Sequence, residues 1–207
     1  MLMRKARSLT RDGYSQLRAE TIVRLLDEPT EDRRPLKRRL QRSARVKELV
    51  EALRISKNDL TRRILCDILG ARRARTAIPV LIECLSVPSA KLQGDAAEAL
   101  GKIGSQKAGE ALLQHFIDDP GVDLAGALGG IGYRPAIPHL ISALADPSMM
   151  VRGGAAWALG ELRATEALQA LEKALESEPE VNSYASRRMN EALERLSQGL
   201  ARTDPGE

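Results

Sequence analysis

Aromatic residues are nearly missing from this 207-residue chain: Phe116, Trp157 and three tyrosines amount to 2%. A β-sandwich or barrel leans on β-branched and aromatic strands, and few such runs occur. Small apolar side chains must fill the interior, which favours closely packed helices. Cysteine is scarce too. Cys66 and Cys84 sit inside apolar helical patterns and read as two buried free thiols, with no disulfide framework and no metal knuckle. Apolar runs are too short for a membrane span, and the opening MLMRKARSLTRDG lacks the apolar core of a signal peptide. The expectation is a cytoplasmic protein without membrane contact. P-loop, dinucleotide and HExxH motifs are absent. The glycine-rich GALGGIG and GGAAWALG fall inside a helical register, so they do not read as phosphate loops.

What is present is organised charge and a repeat. Residues 1–75 carry 21 Lys and Arg against 10 Asp and Glu, a net of +11, whereas residues 76–207 are net −7. The overall +4 therefore hides a basic first third and an acidic remainder.

Leu-Gly pairs stand at Leu69-Gly70, Leu100-Gly101, Leu128-Gly129 and Leu159-Gly160, spaced 31, 28 and 31 residues apart. Eleven residues after each glycine comes a leucine (Leu81, Leu112, Leu140, Leu171), and fifteen after it an apolar anchor (Leu85, Phe116, Leu144, Leu175). A period near 30 with this register is a repeat architecture. Each unit reads as two helices. The first ends at the glycine, which is expected to act as its C-terminal cap. The second starts at a small-Ile-Pro group, where Pro79 and Pro138 fit the first turn. Val151, Ala155, Ala156 and Leu159 share one helical face, with small residues that let neighbouring helices approach. Gly153 and Gly154 should each cost about 1 kcal/mol relative to Ala in a helix interior. Either close packing compensates or this helix is locally soft. The third unit is shorter, and its first helix should span barely two turns near Val122–Leu128.

The flanks lack the Leu-Gly signature. YSQLRAETIVRLLDEP reads as one amphipathic helix and RPLKRRLQRSARVKELVEALR as a longer one. On the latter, Arg34, Arg38, Arg42 and Arg45 follow at spacings of four, four and three, and Lys37 and Arg39 widen the stripe. Arg72, Arg73 and Arg75 are expected near the same end. Such a stripe suits phosphates or an acidic protein, or serves only as a solvated face. No aromatic stacking platform accompanies it beyond Tyr14. Residues 181–196 read as a final polar-faced capping helix.

The segments ILGARRARTAIPVLIECL, ALGKIGSQKAGEALLQHF, ALGGIGYRPAIPHLISAL and ALGELRATEALQALEKAL resemble the short HEAT-like repeats of the phycobilisome-lyase type. The resemblance implies an all-α fold: a short α-solenoid, or α-α superhelix of armadillo/HEAT-like type, built of antiparallel helix pairs. Its concave side, lined by the second helices, would hold a partner. The organisation expected is a basic helical cap or degenerate repeat over 1–57, four HEAT-like repeats over 58–177, a capping helix over 178–200 and a disordered tail over 201–207. Proteins with such repeats include bilin lyase subunits, adaptors and scaffolds. HEAT-like hydroxylases that bind two irons carry repeated His-Glu pairs, whereas His115 and His139 are followed here by Phe116 and Leu140. No metal, cofactor or catalytic residue is expected. The reading is a non-enzymatic protein-binding scaffold contacting its partner through Arg34, Lys37, Arg38, Arg42 and Arg45. The alternative is an enzyme or enzyme subunit, either bilin lyase-like or a DNA-binding alkylated-base glycosylase using the basic helix. Trp157 reads as a packing residue, against the second of these. Oligomeric state is open.

Overall fold

A computed structural model describes residues 10–29 and 32–203, and among them are thirteen α-helices, four 3₁₀ turns and no strand. The chain divides into two compact units, the first ending at Ile103 and the second beginning at Gly104. The first holds α1 (Arg11–Ser15), α2 (Ala19–Asp27), α3 (Arg34–Ser43), α4 (Val46–Ile55), α5 (Asp59–Ala71), α6 (Ile78–Leu85) and α7 (Ala90–Ile103). The second holds α8 (Gly109–Asp118), α9 (Val122–Gly130), α10 (Ile137–Ala143), α11 (Met149–Glu161), α12 (Leu168–Glu176) and α13 (Tyr184–Thr203). Both are stacks of antiparallel helix pairs, so the architecture is the expected all-α solenoid.

The repeat glycines do something other than cap. Gly70, Gly129 and Gly160 lie within α5, α9 and α11, in the last turn, and all are buried. A Cβ on Gly70 would stand 2.7 Å from the Ala99 Cα of α7, one on Gly129 2.8 Å from the Ala158 Cα of α11, and one on Gly160 3.2 Å from the Ala192 Cα of α13. First helices of successive pairs therefore touch backbone to backbone, and glycine is needed because any side chain would push them apart. The capping expectation is corrected accordingly: the left-handed residue lies three positions later. Arg73 (φ 49°), Gly104 (70°), Gly132 (72°) and Arg163 (50°) occupy it in the four repeats. In the first repeat the Arg73 N–H donates to Gly70 O and the Ala74 N–H to Leu69 O. The pairs Gly132 to Gly129, Tyr133 to Leu128, Arg163 to Gly160 and Ala164 to Leu159 repeat this Schellman pattern. Each of these Leu-Gly pairs thus supplies the two carbonyls that close its helix.

Close packing also settles Gly153 and Gly154. A Cβ at Gly153 would meet the Tyr184 ring at 2.4 Å, and one at Gly154 the Val122 side chain at 3.0 Å. α11 is accordingly buried on nearly every side, from Val151 through Gly160. Trp157 is half-buried, with its ring 3.1 Å from where a Gly129 Cβ would stand, so it packs between α9 and α11. The short third repeat has a nine-residue α9, against 13 residues for α5 and α11 and 14 for α7. Pro79 and Pro138 stand in the first turns of α6 and α10, each entered through a 3₁₀ turn.

The upstream segments differ from expectation. The first breaks into α1 and α2, and the longer one into α3 and α4, with Ala44 and Arg45 extended between them. Neither Gly nor Pro marks that second break. Its cause is distant: the Arg72 guanidinium, from the end of α5, donates to the Ala44 carbonyl and satisfies the terminus of α3. Glu48 likewise reaches back from α4 to accept from the Ala19 N–H at 3.1 Å, completing the start of α2. Of the expected tail, residues 201–203 belong to α13, and the rest lies outside the described residues, as do residues 1–9 of the opening segment.

Candidate interaction surface

α3 buries Leu36 and Leu40 and turns its charges outward. Asp32 starts it by accepting from the Arg34 N–H at 2.9 Å, and the same oxygen accepts from the Arg34 guanidinium at 2.9 Å. The hydrogen bonds from Arg34 hold the Asp32 carboxyl below its usual range and raise Arg34 in turn. Arg34, Arg38 and Arg42 follow at successive turns, all exposed, and Arg39 stands beside them with its guanidinium 5.9 Å from the Tyr14 ring centroid. Together with Asp32 and Pro35 they surround a surface depression of about 440 Å³.

Two members of the expected stripe are placed elsewhere. Lys37 turns away from the depression and ion-pairs with Asp67 of α5. Asp67 also meets Lys102 of α7 at 3.3 Å, and Lys102 meets Glu98 at 2.9 Å. Burial raises the Asp67 carboxyl, but the hydrogen bonds from Lys37 and Lys102 outweigh it and hold the group low. Arg45 lies past the helix break, at the N-cap of α4. The neighbouring arginines divide in the same way. Arg33 donates to Leu26 O at 3.0 Å and Glu28 O at 3.2 Å, closing α2, and Arg72 closes α3, whereas Arg73 and Arg75 keep part or all of their surface in solvent. The arginines that surround the depression are therefore Arg34, Arg38, Arg39 and Arg42, with Arg45 exposed beyond the helix break.

The second unit carries a feature that the sequence did not announce. Between α10 and α12 lies a cavity of about 450 Å³, walled by Ile141, Leu144, Ala170 and Ala174. Arg152 and Glu178 are in its lining, joined through two hydrogen bonds of 2.9 and 2.8 Å. Their side chains are 15% and 3% exposed. Ser183 donates to Glu178 Oε1 at 3.1 Å, and Arg152 donates further to the carbonyls of Asp146 and Pro147. No local motif signals this pair, because its partners lie 26 residues apart.

His115 is half-buried in α8 and His139 exposed in α10. Among the described residues, no group of three or more His, Cys, Asp and Glu is placed to hold a metal ion. No helix among them is long and apolar enough to cross a membrane.

The chain is 38% identical over 86 residues to deoxyhypusine hydroxylase of Schizosaccharomyces pombe, a stretch covering 39% of this chain but only 27% of that protein's length. Among solved structures, the complex of CpcE and CpcF of phycocyanin lyase from Nostoc sp. PCC7120 superposes with a TM-score of 0.56 at 24% identity, covering 91% of this chain and 98% of that one. An engineered protein reaches 0.59 at 19% identity, covering 87% and 99%, and a designed armadillo repeat protein 0.52 at 18%, covering 84% and 98%. These likenesses show the fold. The family model for HEAT repeats matches residues 46–125 and 122–194, beginning at α4 and ending within α13. With most of its length in that match, and three of its four Leu-Gly pairs at contacts between stacked helix pairs, the chain belongs to the HEAT-repeat family.

Proposed function

We propose that this chain is a protein-binding subunit whose α3 surface receives an acidic segment of its partner. The observation that carries this reading is the division of charge around α3. Lys37, Arg33 and Arg72 are engaged in holding the fold, whereas Arg38 and Arg42 form no ion pair among the described residues and face solvent around one depression. Surplus like charge on one face repels itself and is relieved by an acidic partner. Tyr14, the one aromatic residue nearby, is buried and offers no stacking surface to single-stranded nucleic acid.

The likeness to the CpcE and CpcF complex supports a second reading, that of a subunit in a lyase-type enzyme acting beside another chain. Under it the same surface contacts that second chain, and the reaction belongs to the assembly.

The test is capture of partners from native lysate after nuclease treatment, at about 0.15 M salt, where loose charge contacts are largely screened. The wild-type chain is compared with an R38E/R42E variant. One stoichiometric protein retained by the wild type and lost from the variant is expected. Retention by both removes the α3 surface from the reading. Recovery of nucleic acid alone from untreated lysate replaces the protein partner with a duplex. A captured chain bearing or binding a bilin selects the lyase-type reading.

A further inference from the structure

The cavity between α10 and α12 differs from the α3 surface in both shape and charge. On α10, Ile141 and Leu144 stand one turn apart, and on α12 Ala170 and Ala174 do the same, all four in the cavity wall. Rows at i, i+3 and i, i+4 run along a helix axis. The cavity is therefore a groove along the two helices, with small residues on one side. At about 450 Å³ it falls within the roughly 300–1,000 Å³ that ligand clefts span. A row of large side chains on a third helix fits such a groove, and alanine on one wall lets its backbone come close.

Apolar surface continues beyond the groove. Met149, on the same face of α11 as the lining residue Arg152, is 38% exposed. Val181, two residues past the lining residue Pro179, is 89% exposed. The rim is acidic. α10 and α12 both finish at the groove, so their last carbonyls bring partial negative charge to it. Arg152 is answered within the wall by Glu178. That leaves Asp146, which accepts from the Ser148 N–H at 2.7 Å, and the exposed Glu176 and Glu180, against the one ammonium of Lys173. None of these four side chains forms an ion pair among the described residues.

We propose that this groove is the docking site for an amphipathic helix of a partner protein, apolar on one face and basic on the other. Its apolar row lies against Ile141, Leu144, Ala170 and Ala174. Its lysines or arginines meet Asp146, Glu176 and Glu180 at the rim, where opposite charge sets both orientation and choice of partner. The groove does not depend on the α3 surface, whose charge is opposite: one takes an acidic segment and the other a basic one.

The test uses the full chain and a fluorescein-labelled peptide of about 15 residues, with leucine at i, i+3, i+4 and i+7 and lysine elsewhere. Its counterpart has glutamate for every lysine. Binding is read by fluorescence anisotropy at about 0.15 M salt. Saturable one-to-one binding of the lysine peptide is expected, with the glutamate peptide about tenfold weaker. Ala174→Phe fills the groove from its small-residue wall. It should weaken the lysine peptide about tenfold and leave the helical circular dichroism and urea midpoint in place. Ala170→Leu blocks the same wall if the phenylalanine variant does not fold. An E176K/E180K variant should reverse the preference between the two peptides, an effect that loss of structure does not produce. Absence of binding, equal affinity for the two peptides, or an affinity indifferent to the filled groove overturns the proposal. R38E/R42E should bind the lysine peptide as the wild type does, whatever that variant does to partner capture, so the two surfaces are tested separately.

Discussion

The layer formed by α9, α11 and α13 and the helix α3 use their residues in opposite ways. In the layer, almost every position of α11 from Val151 to Gly160 faces a neighbour, and its glycines are placed where a methyl group would strike another chain segment. In α3, Leu36 and Leu40 alone are buried, and the rest of the helix is charge and polarity held outward. The layer derives its stability from smallness, because backbones in contact exclude water and gain dispersion without large side chains. α3 contributes little to that kind of packing. Its surplus charge is therefore free to serve binding, and changes in the two regions should be felt by different measurements.

The largest stability effect is expected at the one buried ion pair of α11. Arg152 is held by Glu178 and two carbonyls with little side-chain exposure, so Arg152→Ala leaves the Glu178 carboxylate without its cation and with Ser183 as its remaining donor. It should cost about 3 kcal/mol, read from the urea midpoint. The pair also sets a pH dependence. The Arg152 hydrogen bonds, opposed by burial and aided by Ser183, hold the Glu178 carboxyl below its ordinary value. A depressed folded value means that the stabilisation is complete above the unfolded-state value of about 4.3 and is lost as pH falls through the lower, folded one. Glu178→Gln should flatten that part of the acid limb. An unchanged limb would show that other carboxylates carry it.

A smaller effect separates two glycines one turn apart. Gly129→Ala places its methyl 2.8 Å from the Ala158 Cα, which belongs to backbone and cannot step aside. It should destabilise by about 2 kcal/mol. Gly126 has only the Trp157 ring, at 4.0 Å. Gly126→Ala should stabilise by about 0.5–1 kcal/mol through helix propensity and a less flexible unfolded chain. If both changes shift the urea midpoint in the same direction, the contact between α9 and α11 is not what fixes the glycine.

The repeat was legible because backbone contact leaves a residue type behind. Leu69-Gly70, Leu128-Gly129 and Leu159-Gly160 record both the contact and the helix end, and the period of the four Leu-Gly pairs yields the helix pairs directly. The function of each glycine was less legible. A glycine near a helix end satisfies the composition of a cap whether or not it adopts positive φ, and at two of the four true left-handed positions an arginine, Arg73 or Arg163, hides the signal. The break after α3 and the engagement of Lys37 were not legible at all. The first depends on Arg72, 28 residues beyond Ala44, and the second on Asp67, 30 residues beyond Lys37. Spacing along one helix shows which charges share a side. It does not show which of them another helix will answer.

That distinction gives the finest test. Lys37 and Arg38 are adjacent in sequence, but one faces Asp67 and the other faces the depression. Lys37→Ala removes an ion pair whose partners are each about a third exposed, and Lys102 remains beside Asp67, so the loss should be about 0.5 kcal/mol. Arg38→Ala should change stability by less than that, since no ion pair among the described residues depends on it. Partner capture should rank them the other way, with Arg38→Ala weakening retention and Lys37→Ala leaving it intact. Equal effects of the two variants in both measurements would mean that α3 presents one undivided field of positive charge. Opposite rankings would show that neighbouring cations in one helix are assigned separately, one to the fold and one to the partner.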